Sequence, residues 1–144
     1  MNITEIMTGI PQNKESEIPL MKQFVVDRVG KIKSGLAVYD DGDMFMASRI
    51  NDTGQYKWVE FTRLKKDGIE LLQKLIENEF PPLENLDIQT ESSESVLIWI
   101  VKLNGKEKEI RVASGSYYNL PSVFEKVDRL INKYMYRMNE KIEH

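Results

Sequence analysis

The side chains that most often carry out catalysis are almost missing from this chain of 144 residues. It holds no cysteine and one histidine, His144, at the very end, and chain ends are seldom held in place. Without a positioned imidazole or a thiol, neither a Ser-His-Asp nor a Cys-His nucleophile system can be assembled, and zinc loses its usual ligands. Carboxylates remain as acids, bases or ligands for hard cations. Their densest local cluster is Asp40, Asp41 and Asp43. That cluster surrounds Gly42 and lacks the distal bidentate glutamate of a calcium loop, so a plain hairpin turn is the better reading. A metal-dependent nuclease site of the Asp…(Asp/Glu)-x-Lys kind needs an acid two positions before a lysine, and no lysine here has one. The stretch Ser114, Gly115, Ser116, Tyr117 and Tyr118 leads from an expected strand into an expected helix, where backbone N–H groups could receive an anion. It has one glycine and no cation, which also suits a simple capping loop. The sequence therefore predicts no catalytic residue, no cofactor and no metal.

Two groups of residues point instead to contact surfaces. Lys126, Arg129, Lys133, Arg137 and Lys141 recur at steps of three or four and line one flank of an expected closing helix. Glu125, Asp128, Glu140 and Glu143 occupy the other flank, a polarity able to orient a partner helix. The plainer reading is an amphipathic helix docked on its own sheet. The second group follows from alternation along YKWVEFT, which sends Val59 and Phe61 one way and Tyr56, Trp58 and Glu60 the other. In a later strand the same logic leaves Ile98 and Ile100 on the side away from Leu97 and Trp99. An outer sheet face carrying Tyr56, Trp58, Ile98 and Ile100 is either a protein contact or is covered by the chain's own N-terminal segment.

The elements that must position these residues can be read in order. Residues 1–22 form a lead-in with Pro11 and Pro19, in which Ile3, Ile6, Met7 and Ile10 fall at helical spacing and suggest a short helix. Residues 23–144 read as a single domain. FVVDRV, GLAVYD, DMFMASRI and YKWVEFT are separated by turn residues and form a strand meander. Asp41-Gly42 as a two-residue turn would set Tyr39 opposite Met44 and Val38 opposite Phe45. Leu64 to Phe80 has a helical period that Pro81-Pro82 stops. VLIWIVKL and KEKEIRVA flank Asn104-Gly105, a hairpin in which Lys102 faces Glu107 and Trp99 faces Ile110. Val123 to Met138 closes the chain as an amphipathic helix with Pro121 near its first turn. The expected fold is α+β, an antiparallel sheet of hairpins with two main helices packed on one face.

YDDGDMFM, the helix ending in ENEFPPLE, the hairpin LNGKEKEI and NLPSVFEKVDRLI together resemble, in layout, a small bacterial ββ-α-ββ-α domain of unknown function. The resemblance spans roughly the last hundred residues and implies a fold without an activity.

Composition bounds the remainder. A hydrophobic fraction of 41% with 30% charged residues is that of a folding globular chain rather than a disordered one. Its longest apolar run, Val96 to Val101, has the length of a buried strand, so no membrane contact is expected. The N-terminus does not read as a secretory signal, and the expected location is the cytoplasm. A net charge of −3 supplies no general attraction for polyanions. The leading expectation is a small cytosolic non-enzymatic protein-binding domain, an inhibitor, immunity-type or antidefence protein acting by occlusion, with a protein partner or a second copy of itself. The alternatives are nucleic-acid binding through the basic flank and a carboxylate-based enzyme of unknown substrate.

Overall fold

The computed structural model describes residues 7–8, 11–14, 16–27, 31–50, 55–83, 87–88, 95–113 and 122–137. The strands are β1 (Met7–Thr8), β2 (Met21–Asp27), β3 (Ile32–Val38), β4 (Asp43–Ile50), β5 (Gln55–Arg63), β6 (Asp87–Ile88), β7 (Ser95–Leu103) and β8 (Lys106–Ala113), and the helices are α1 (Lys66–Glu79) and α2 (Ser122–Tyr134). All strands join one sheet in the order β1-β5-β4-β3-β2-β7-β8-β6. The six long strands pair antiparallel, while the two-residue β1 and β6 add parallel to the outer edges of β5 and β8. The architecture is α+β, with both helices on one face.

Asn104 and Gly105 both adopt positive φ, 53° and 77°, as a two-residue turn that matches strand twist demands. The expected pairs Lys102 with Glu107 and Trp99 with Ile110 follow. The other hairpin differs by one residue. Val38 pairs with Met44 and Ala37 with Phe45, because Gly42 takes φ 95° while its N–H bonds Tyr39 O at 2.9 Å and the Tyr39 N–H bonds Asp43 O at 3.0 Å. The loop thus closes one residue wider than the Asp-Gly dipeptide implies.

The sheet has a core on each face. On the helix side, Met21, Val38, Met44, Trp99, Val101 and Ile110 meet Leu72, Ile76, Phe124, Val127 and Ile131 from α1 and α2. Phe124 packs against Trp99 at 4.8 Å between ring centroids and against Phe80 at 6.0 Å. On the opposite side Phe24, Val26, Ile32, Ala37, Tyr39, Phe45, Tyr56, Trp58 and Ile98 form a second cluster. Two bulges decide which residues reach it. In β3 the extra residue is Lys33, so Ile32 turns inward opposite Val26. In β5 the extra residue is Phe61, which restores Thr62 to the helix side opposite Met44 after Tyr56 and Trp58 have faced away.

The lead-in is not helical at Met7–Thr8. These two residues pair with Tyr56 and Lys57 of β5, and a 3-10 turn follows at Gln12–Lys14. Ile3, Ile6 and Ile10 lie outside the described residues. To reach β2 from the β5 edge, the chain must cross β4 and β3, and Lys14 marks that crossing by sitting over the Tyr39 ring at 4.8 Å.

Candidate functional site

The aromatic face that alternation marks as an outer surface is interior. Tyr56 is 6%, Trp58 7% and Ile98 2% exposed, and Ile100 is half-buried against them. The alternation itself holds, since these side chains do point away from the helices. Within this face, one cross-strand row brings unequal residues together. Phe24 on β2 and Trp58 on β5 are separated by two strands, yet their ring centroids lie 5.6 Å apart. Flat strands would hold them about 14 Å apart at the usual spacing. The rings lean over the small residues between them, Gly35 and Ala47, so that a Cβ on Gly35 would fall 2.8 Å from Ala47 Cβ and 3.1 Å from Phe24 Cδ1. The large apolar side chains left exposed among the described residues are instead Met46, Val59, Phe61 and Leu71. Met46 and Val59 are cross-strand partners on the helix side of the sheet, and Phe61 is the bulged residue.

The acidic turn is occupied by the chain's own cations. Lys14 contacts both Asp41 and Asp43, Arg63 Nε lies 3.1 Å from Asp43, and Lys102 Nζ lies 2.6 Å from Asp40. Burial alone would lower the Lys14 ammonium, but the hydrogen bonds and charges of Asp41 and Asp43 outweigh it and hold the group above its ordinary value. Burial likewise works to raise Asp41, and Lys14, the Asp43 N–H and Arg63 together hold it below. Burial raises the Tyr39 phenol, with Lys14 opposing. Among the described residues no group of three His, Asp or Glu side chains is placed to hold a metal ion. Asp41 and Asp43 act as a clasp for the lead-in through Lys14, while Asp40 ties the turn to β7 through Lys102.

The basic residues of α2 come together with residues of α1. The two helices run antiparallel, with Lys126 bonded to Glu79 at 2.8 Å near one end and Gly68 against Tyr134 near the other. A Cβ on Gly68 would sit 2.5 Å from Tyr134 Cβ, so glycine permits the close approach there. The same end is stitched by Lys65 N–H to Tyr134 O at 2.9 Å and Tyr136 N–H to Arg63 O at 2.9 Å. Between these ends lies a groove of about 420 Å³. Leu71, Leu75, Leu130 and Tyr134 supply its apolar floor, while Lys74 from α1 and Lys126, Arg129 and Lys133 from α2 stand around it with one carboxylate, Glu79. Arg129 is also engaged by Glu125, and Lys133 lies over the Tyr134 ring at 5.3 Å. Lys74 and Lys133 have no carboxylate partner among the described residues.

Arg137 is exposed beyond the end of α2, and Lys141 lies outside the described residues. So does the expected anion loop Ser114, Gly115, Ser116, Tyr117 and Tyr118. Lys74, Leu71 and Leu75 were not marked by sequence spacing as site residues. The available signal was Leu71 with Leu75, four apart on α1, next to Lys74 on the helix surface.

No protein-family model and no curated protein matches the chain, so the geometry of its own surfaces has to carry any functional reading. No helix among the described residues is long and apolar enough to cross a membrane.

Proposed function

We propose that this chain is a non-enzymatic protein-binding domain of the cytoplasm, acting by occlusion in the manner of an inhibitor, immunity-type or antidefence protein, and that it binds through the groove between α1 and α2. The observation that supports this most is the groove itself. It joins an apolar floor, including Leu71 at 39% exposure, to a rim of cations, the combination of buried anchor and polar border that protein contacts use.

Capture from the native cytosol with the wild-type chain and a Leu71→Glu variant tests the reading. Leu71 is exposed enough for the variant to keep its melting temperature, and it should lose partners that the wild type retains. Identical capture by both proteins, or none by the wild type, refutes binding through the groove.

A second reading, nucleic-acid binding, draws on Lys74, Lys126, Arg129 and Lys133 lying together. It requires affinity for a DNA or RNA duplex that falls steeply with salt as counterions are displaced. Absence of binding at low salt removes it.

A further inference from the structure

Resting on the groove as the binding surface, we infer that its occupant is an amphipathic α-helix of a partner protein, apolar at i, i+4 and i+7 and bearing carboxylates along both flanks. The shape argues for a helix. Two antiparallel helices in contact leave a furrow between their surface ridges, and a third helix fills such a furrow with its own ridge. Leu71, Leu75 and Asn78 line one wall at successive turns, and Lys126, Arg129, Leu130, Lys133 and Tyr134 the other. Seven residues of helix span about 10 Å at the usual rise, so the groove is about two turns long. That length matches the distance between anchors at i and i+7.

The charges select the flanks. Lys74 stands on one wall and Lys126, Arg129 and Lys133 on the other, against Glu79 alone. A helix lying between them meets cations on both sides, so lysine flanks are repelled and glutamate or aspartate flanks attracted. Lys74 and Lys133 are the positions where a visiting carboxylate breaks no ion pair seen among the described residues. The floor argues against a polynucleotide as the natural occupant. Phosphate and sugar contacts are polar and charged, and they would leave the leucines Leu71 and Leu75 facing polar groups, whereas an amphipathic helix covers them.

The test uses the full chain and three helix-forming peptides of four turns, with leucine at i, i+4 and i+7 and flanks of glutamate, glutamine or lysine. Fluorescence anisotropy should rank them glutamate, glutamine, lysine, with about tenfold between the first two at low salt and less at high salt. The double variant Lys74→Glu/Lys133→Glu should reverse the order, and Leu71→Glu should abolish binding of all three. Equal binding of the glutamate and glutamine peptides, with loss on Leu71→Glu, overturns the charge selection while the groove stands as a binding surface. Failure of all three peptides overturns the helix, and the capture experiment with Leu71→Glu then decides separately whether the groove binds any protein. Tighter binding of a DNA duplex than of the acidic peptide overturns the inference in favour of nucleic acid.

Discussion

Placing one methyl group at Gly35 tests how the second core is packed. The Cβ of Gly35→Ala would meet Ala47 Cβ at 2.8 Å and the Phe24 ring at 3.1 and 3.2 Å. The first of these neighbours is fixed to the backbone of β4 and cannot swing aside, and the ring is held by Trp58 behind it. Overpacking of this kind costs about 1–3 kcal/mol. Replacing a strand glycine returns about 0.5–1 kcal/mol through the unfolded chain, which leaves a net loss of up to about 2.5 kcal/mol, with about 1 kcal/mol at the middle of both ranges. In a domain of this size each kcal/mol lowers Tm by about 2–4 °C, so a fall of roughly 2–5 °C is expected at mid-range and of about 10 °C at most. Ala47→Gly by itself should also destabilise, since it adds a flexible residue to a strand. The informative protein is the double variant Gly35→Ala/Ala47→Gly, in which the closest contact disappears. Urea unfolding of all four proteins should show the two losses failing to add, with a favourable coupling of about 1 kcal/mol or more. A Gly35→Ala variant more stable than the wild type, or strict additivity in the cycle, would refute the leaning-ring account.

The remaining predictions concern the two cores, the turns and the clasp. Trp58→Ala should lose about 3–5 kcal/mol, the range for a buried aromatic, and match Trp99→Ala in thermal unfolding; a near-neutral result would put Trp58 back on the surface. Gly105→Ala meets nothing within 4 Å and carries only the strain of φ 77°, whereas the Cβ of Gly42→Ala would sit 2.6 Å from Leu64 O at φ 95°. We therefore expect about 1–2 kcal/mol for the first from the positive φ and at least about 1 kcal/mol more for the second, with equal losses in urea titration contradicting the hairpin geometry. Lys14→Met should cost about 1–3 kcal/mol at neutral pH through its lost charged hydrogen bonds, toward the lower end because Asp41 is 47% exposed. Because Asp41 is held below its ordinary value, its share of stability is present above about pH 4 and is lost as pH falls through its folded value. Lys14 is held above its ordinary value, so its share is complete below about pH 10 and is lost as pH rises further. Stability profiles of wild type and variant should therefore converge at both extremes, and a constant gap across pH would reject the clasp.

Local chemistry was the part of the fold that the sequence stated openly. Asn104-Gly105 fixes its hairpin because both residues accept positive φ, and Pro81-Pro82 ends α1 because proline cannot continue a helix. Elsewhere the deciding interaction lies far away in the chain. Met7 has helical spacing with its neighbours, but the open edge of β5 pairs with it as a strand. The alternation of Tyr56, Trp58 and Val59 was readable, whereas the bulge at Phe61 and the collapse of Trp58 onto Phe24 were not, since they depend on Gly35 and Ala47 in other strands. Of the groove, the basic flank of α2 was visible as Lys126, Arg129 and Lys133. Its opposite wall was hidden because Lys74 and Leu71 become neighbours of that flank only when the helices pack.

The position of β2 bears on how the protein emerges from the ribosome. It is a central strand, yet one of its two partners, β7, is made late: Phe24 pairs with Ile98, about seventy residues downstream. At about 5–20 residues per second, one side of β2 stays unpaired for roughly 3–12 s after β3 has been made. An apolar strand left open that long is prone to pair with a neighbouring nascent chain. Lys22 carries an ammonium into this stretch, where it finishes 8% exposed with its charge 3.4 Å from Glu107. Until β8 delivers that glutamate the ammonium is unmatched, a charge that disfavours pairing by an intruding strand at the vacant edge.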